Sequence, residues 1–221
     1  MDNISQHLPN ATTKRTVRKR AILIYQGEVP RQVYMVHSGT FKAYRLGSFG
    51  EEQIVSFKTP GDIFPETWVF GKTSSALYYY EAMSDAEVLT IERSVFLNLL
   101  DSKPELKDQM MDYMVTNYTG LLMQISALEQ SRAAEKLILM VYYLMFRYGK
   151  EKKPGEYILN LNLTHTTLAS LMGLTRETTT TELGRLKRKG IIAYDTKSFT
   201  VYRDVLEKKL GDDSFADIKL S

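Results

Sequence analysis

The chain contains no cysteine among its 221 residues. Disulfides, thiolate-held iron–sulfur clusters and thiol redox switches are therefore excluded. Histidine is nearly as scarce. His7, His37 and His165 are scattered, and no carboxylate stands at a spacing that would complete a metal cage, so no metal and no cofactor are expected. No apolar run reaches the roughly 18 residues of a membrane-spanning helix, so no membrane partner is expected. The opening residues, MDNISQHLPNATTKR, lack the apolar stretch of a signal peptide, and a cytoplasmic location is the default expectation.

What is present is an uneven distribution of charge. The net charge of +3 conceals 13 basic against 15 acidic residues over 1–130, a net of −2, and 13 against 6 over 131–203, a net of +7. Residues 204–221 carry 3 basic and 5 acidic side chains. The positive region coincides with the motif described next, as phosphate binding requires.

Residues 164–190, THTTLASLMGLTRETTTTELGRLKRKG, read as two short helices joined by a tight turn at Gly173. Two short β-type runs, Ile191–Tyr194 and Phe199–Tyr202, follow at once around a four-residue turn. A helix-turn-helix followed by a β-wing is a device for placing one helix in the DNA major groove. Leu168, Leu171, Met172, Leu174, Leu183 and Leu186 form its expected inner face, and Thr175 is a good N-cap for the second helix. The start of a recognition helix and the turn after it reach base edges. That selects Arg176, Glu177, Thr180 and Thr181; Arg suits guanine O6 and N7, and Glu accepts from a cytosine amine. Thr164, His165 and Thr175 fall where hydroxyls and helix N-termini meet phosphate, and Lys187, Arg188, Lys189 and Lys197 supply further phosphate contacts.

Upstream, after a polar start, residues 21–92 alternate in the β manner, broken by Gly, Pro, Asp and Ser turn signals. That pattern predicts a compact antiparallel β-barrel or jelly roll, closed against bare edges. Its expected core is Ile22, Ile24, Val33, Tyr34, Val36, Phe41, Ile54, Phe57, Ile63, Val88 and Ile91. The periodicity then turns helical. A short helix is expected over Ser94–Leu100 and a long one from Glu105 to about Gln130. In the long helix Met110, Met114, Tyr118, Leu121, Ile125 and Leu128 give a heptad-like seam, suited to a parallel homodimer. Met111, Val115 and Leu122 on the other side leave an intramolecular packing open as well. A dense apolar helix is expected over Ala133–Tyr148, then a basic loop over Lys150–Gly155, a short strand over 157–161, and a closing helix N-capped by Asp204. The fold class is α+β, with a β-barrel sensor domain over 1–103, a dimerisation helix over 104–130 and a winged helix-turn-helix domain over 131–221.

The segments QGEVPRQVYMVHSGTFKAYR and PGDIF, the long helix, and MGLTRETTTTELGRLKRKGII together resemble the cyclic-AMP receptor protein and fumarate–nitrate reduction regulator family of bacterial transcription factors. The resemblance covers nearly the whole chain. It implies a non-enzymatic homodimer that binds double-stranded DNA at a palindromic operator and acts on RNA polymerase. The chain departs from the family pattern in informative places. Thr181 stands where an Arg is usual four residues after the Glu, and Thr179 and Glu182 stand where apolar residues are preferred, so Glu182 is expected to turn to the surface. Cyclic-nucleotide binders in the family resemble G-E-L followed by R-S; this chain has Pro65-Glu66-Thr67 and Ser75-Ala76-Leu77. Without the arginine a buried cyclic phosphate would be unpaired. The aromatic residues Trp68, Tyr78 and Tyr80, with Glu66 and with Tyr118 on the long helix, suit instead a small apolar or aromatic effector. The same rings equally suit a filled interior that binds nothing. A barrel-type metal enzyme is the remote alternative.

Overall fold

In a computed structural model, which describes residues 12–195 and 198–211, the alternating region forms two four-stranded antiparallel sheets. Its strands are β1 (Thr13–Val17), β2 (Ile22–Ile24), β3 (Val33–Ser38), β4 (Phe41–Leu46), β5 (Glu52–Lys58), β6 (Ile63–Phe64), β7 (Tyr79–Ala82) and β8 (Ala86–Ile91). The sheet orders are β1-β8-β3-β6 and β2-β7-β4-β5. The sheets stay open and do not close into the barrel expected from the sequence; one shared core holds them as a jelly-roll sandwich. Inward positions of both supply that core: Tyr34, Val36, Phe64 and Val88 from the first sheet, Ile24, Phe41, Ala43 and Tyr80 from the second. Of the residues expected in the core, only Ile22 is not fully buried. The turn between β3 and β4 passes through Gly39 at φ +81°, where an added Cβ would lie 2.6 Å from the Asp85 carbonyl oxygen. Only glycine fits there.

The strand β1 lies in the start that reads as merely polar. It pairs with β8 from Thr13↔Thr90 to Val17↔Ala86, and Lys14 meets Glu87 at 2.6 Å across the pair. Four of its five residues are exposed, so it carries no period-2 apolar signal. A short helix, α1 (Glu66–Val69), follows β6, and α2 (Arg93–Ser102) and α3 (Pro104–Leu128) follow β8. The outer face of the first sheet (Val33, Met35, Ile63, Ile91) packs with Val69, Phe96, Leu100, Leu106, Met110 and Tyr113 in a second core.

The chain divides into two compact units between Met114 and Val115, within α3. The second unit contains α4 (Ala133–Tyr148), β9 (Gly149–Lys153), β10 (Glu156–Leu159), α5 (His165–Met172), α6 (Arg176–Arg188), β11 (Ile192–Tyr194), β12 (Phe199–Tyr202) and α7 (Arg203–Leu210). From Leu137 onward the helix α4 is buried over most of its surface, as its densely apolar sequence requires. The expected basic loop is instead the strand β9, at the edge of a sheet ordered β11-β12-β10-β9. Its exposed Lys150, Lys152 and Lys153 give no apolar alternation, and charge of this kind protects an open edge from stray pairing. Asp204 is not the cap of α7. The helix begins at Arg203, two residues earlier than that cap would place it, and Asp204 sits in the first turn, where its charge suits the helix dipole. Tyr142 donates from its hydroxyl to Glu207 at 3.1 Å, and Arg203 holds the same carboxylate at 2.7 Å. Among the described residues no helix is long and apolar enough to cross a membrane.

Candidate nucleic-acid interface

The two helices of the motif are each begun by a threonine. Thr164 Oγ1 accepts from the Thr167 amide at 3.0 Å and Thr175 Oγ1 accepts from the Thr178 amide at 3.1 Å. Each cap satisfies one of the free amides of the first turn. Between them Gly173 takes φ 64°, ψ 34°, the left-handed geometry that ends α5 and turns the chain into α6. Leu168, Ala169, Leu171 and Met172 of α5 and Thr179, Leu183 and Leu186 of α6 are buried. Thr179 keeps its place in this apolar face because its hydroxyl donates to the Thr175 carbonyl at 2.9 Å. Glu182 does not turn to the surface. It is buried, and its carboxylate meets Arg185 at 2.5 Å, so a surface arginine one turn later neutralises it.

With that face turned inward, Arg176, Glu177, Thr180 and Thr181 are all exposed. Their spacing places them on one side of α6, two in its first turn and two in the next. Thr180 has its hydroxyl engaged, donating to the Arg176 carbonyl at 2.8 Å and lying 2.8 Å from His165 Nδ1. Thr164, Thr175, Arg188 and Lys189 are exposed, and His165 is half-buried. Lys187 is held: its Nζ donates to the Tyr194 carbonyl at 3.3 Å and lies 4.6 Å from the centre of the Tyr194 ring. Lys197 lies outside the described residues. Tyr194, absent from the sequence-based set, also meets the His165 ring edge-on at 5.5 Å and stacks on Phe199 at 5.8 Å. Its place in the wing strand is legible in the sequence, but the contacts are not, because they join residues distant along the chain.

The residues expected to form an effector site are distributed differently. Tyr80 lies in the core between the sheets, 4.9 Å from the Phe64 ring, which in turn lies 5.4 Å from Phe41 and 5.6 Å from Tyr34. Burial, and then the nearby Glu66 carboxylate, push the Tyr80 hydroxyl well above its ordinary pKa. Tyr78 is half-buried against the same core. Glu66 pairs with the buried Lys58 and accepts from the Tyr113 hydroxyl at 3.4 Å. Trp68 packs on the second core, with the Arg93 guanidinium 5.5 Å from its ring. Tyr118 is 61% exposed on the part of α3 that belongs to the second unit. Among the described residues no group of three His, Asp or Glu side chains is placed to hold a metal.

The residues expected to form a seam on α3 are nearly all exposed. Met114, Tyr118, Leu121, Ile125 and Leu128 are exposed, and so are Met111, Val115 and Leu122. Met110 does not belong with them; it is 5% exposed and packs with Leu106 and Tyr113 under the first sheet. Met111 takes its place, giving apolar positions 111, 114, 118, 121, 125 and 128 at alternating steps of three and four. That is the heptad period.

The fold and this surface define a winged helix-turn-helix regulator attached to a sandwich of the cyclic-nucleotide-binding type. Residues 14–103 match the cyclic nucleotide-binding domain model and residues 131–207 match the Crp-like helix-turn-helix domain model. The chain belongs to the CRP/FNR family of DNA-binding transcription regulators. It is 27% identical over 220 residues to the anaerobic regulatory protein of Pasteurella multocida, spanning 100% of this chain and 77% of that protein. It is 28% identical over 189 residues to the fumarate and nitrate reduction regulatory protein of Vibrio cholerae, spanning 85% and 74%. The solved structure of FixK2 from Bradyrhizobium japonicum shares the fold, with a TM-score of 0.74 at 22% identity over 92% of this chain and 98% of that one.

Proposed function

We propose that the protein is a homodimeric, sequence-specific transcription regulator of the cytoplasm, not an enzyme, that binds a palindromic operator and acts on RNA polymerase. The observation that carries the reading is the exposed face of α6, where Arg176, Glu177, Thr180 and Thr181 are presented by a helix capped at Thr175. Thr164, His165, Thr175, Lys187, Arg188, Lys189 and Lys197 contact phosphate. The exposed stripe from Met111 to Leu128 is the dimer seam, and α3 with the two residues after it, 104–130, is the joining element between a sensor region, 1–103, and a DNA-binding region, 131–221. Selection from random duplexes with the purified protein should enrich a two-fold symmetric site with half-sites about one helical turn apart, and binding should weaken steeply with salt. Enrichment of no sequence at all would sink the reading.

A second reading concerns the sandwich. The stacked rings of Tyr34, Phe64 and Tyr80 and the Lys58–Glu66 pair supply internal partners for the groups expected to meet a ligand. This favours a sandwich that serves as a scaffold, with operator affinity independent of effector. In the effector-responsive reading, a small apolar or aromatic ligand would meet Tyr78 and Glu66. Operator affinity and melting temperature measured across a panel of small aromatic acids and cyclic nucleotides separate the two: a shift in both with one compound establishes an effector.

A further inference from the structure

A threonine hydroxyl has one hydrogen. In Thr180 that hydrogen goes to the Arg176 carbonyl at 2.8 Å, so the 2.8 Å contact with His165 Nδ1 requires the imidazole to donate. The network thus places a proton on Nδ1 and leaves Nε2 as the ring's other polar atom. His165 is itself held by the edge-on contact with Tyr194, which is stacked on Phe199 and carries Lys187 above its ring. A chain of contacts therefore runs from the wing, through the first helix of the motif, to a base-facing position of the second.

In the major groove every base pair offers hydrogen-bonding groups, whereas the methyl group at C5 belongs to thymine alone. With its hydroxyl held on the helix, Thr180 has chiefly a methyl group to present. We propose that Thr180 reads a thymine through that methyl group, and that His165 and Tyr194 are positioning residues that enforce this by restraining the hydroxyl. This rests on the reading of α6 as the helix that enters the major groove. It gives His165 a role in sequence preference that phosphate binding alone would not give.

The test uses the full-length protein and random-duplex selection, followed by binding to single-base variants of the selected site. Thr180→Ser keeps the hydroxyl and loses the methyl; Thr180→Val does the reverse. Discrimination for thymine at one base pair of each half-site should fall on the order of fivefold to tenfold in Thr180→Ser, and by less in Thr180→Val. His165→Ala should relax the same base pair and no other, His165→Gln, whose amide can donate, should restore it, and Tyr194→Phe should retain more of it than Tyr194→Ala. Placed in the Thr180→Val background, His165→Ala should have no further effect on that base pair, because no hydroxyl is left to restrain. Two results would overturn the proposal: a larger loss in Thr180→Val than in Thr180→Ser, or a His165→Ala variant that weakens all duplexes equally. Absence of base preference in the unaltered protein would instead overturn the reading of α6. The Thr180 variants alter an exposed side chain, so the first comparison stands even if a His165 variant fails to fold.

Discussion

The interior of the sandwich and the exposed face of α6 differ in how their polar and aromatic groups are satisfied. Between the sheets the rings of Tyr34, Phe41, Phe64 and Tyr80 answer one another, and Glu66 has Lys58 and Tyr113 as partners. On α6, Arg176, Glu177 and Thr181 stand exposed, while Thr179 and Glu182, one helical face away, are buried with their polar atoms bonded. The lesson is that polarity alone does not mark a functional group in this chain. What distinguishes Arg176, Glu177 and Thr181 is polarity that stays exposed to solvent.

The sharpest way to break the contrast is to open the interior. Phe64→Ala removes the ring shared by three aromatic contacts and should cost about 3–5 kcal/mol, seen as a lower melting transition of the sandwich unit. Below that transition the operator sequence selected by the protein should be unchanged. Glu177→Ala should do the reverse, weakening operator binding by about 1–3 kcal/mol in a titration and relaxing one base pair. Its effect on unfolding should stay within roughly 0.5 kcal/mol. Thr175→Ala touches both properties, because the cap orders the first turn of α6; a loss of about 1 kcal/mol in stability is expected by denaturant titration.

The smallest effect lies in alkaline solution. Burial first, then the Glu81 and Glu52 carboxylates, push the Tyr44 hydroxyl up to about 12; burial and the hydrogen bond to Glu207 push Tyr142 up to about 12. A folded pKa above the unfolded value of about 10 means that the folded state retains more protons between those values. The stabilisation is therefore full below about pH 10 and is lost as pH rises towards 12. Urea titrations from pH 8 to 11.5 should show that decline, and Tyr44→Phe with Tyr142→Phe should make it shallower, the raised Tyr80 hydroxyl leaving a remainder.

The elements legible in the sequence are those whose period and punctuation agree. The helix Ala133–Tyr148 is densely apolar and stops at Gly149; the helix-turn-helix has a threonine at each cap and a glycine at its turn. The strands β1 and β9 escape the same reading for a shared reason. Each is an edge strand with four exposed residues of five, so hydrogen bonding, not side-chain burial, makes it a strand. On α3, Met110 and Met111 are equally apolar neighbours, and helical periodicity cannot decide which of them turns inward. The first sheet decides it by receiving Leu106, Met110 and Tyr113. The open sandwich is a similar case, since closure depends on strand pairing that alternation does not encode. At the candidate site, the four exposed positions of α6 follow from helical spacing, whereas Tyr194 and the His165–Thr180 bond depend on how the wing folds back.

The run Thr178–Thr181 has a consequence for motion. Four β-branched residues in succession give a poor helix former, each less favourable than alanine by up to about 0.7 kcal/mol. The helix α6 therefore persists through its cap and its buried Leu183 and Leu186, and it has little reserve of its own. Its amides should exchange with solvent as a group, earlier than those of α4, and the strands that carry Tyr194 and Phe199 should open with it. A duplex seated on that face would slow their exchange together, so the act of reading would also complete the reader's own order.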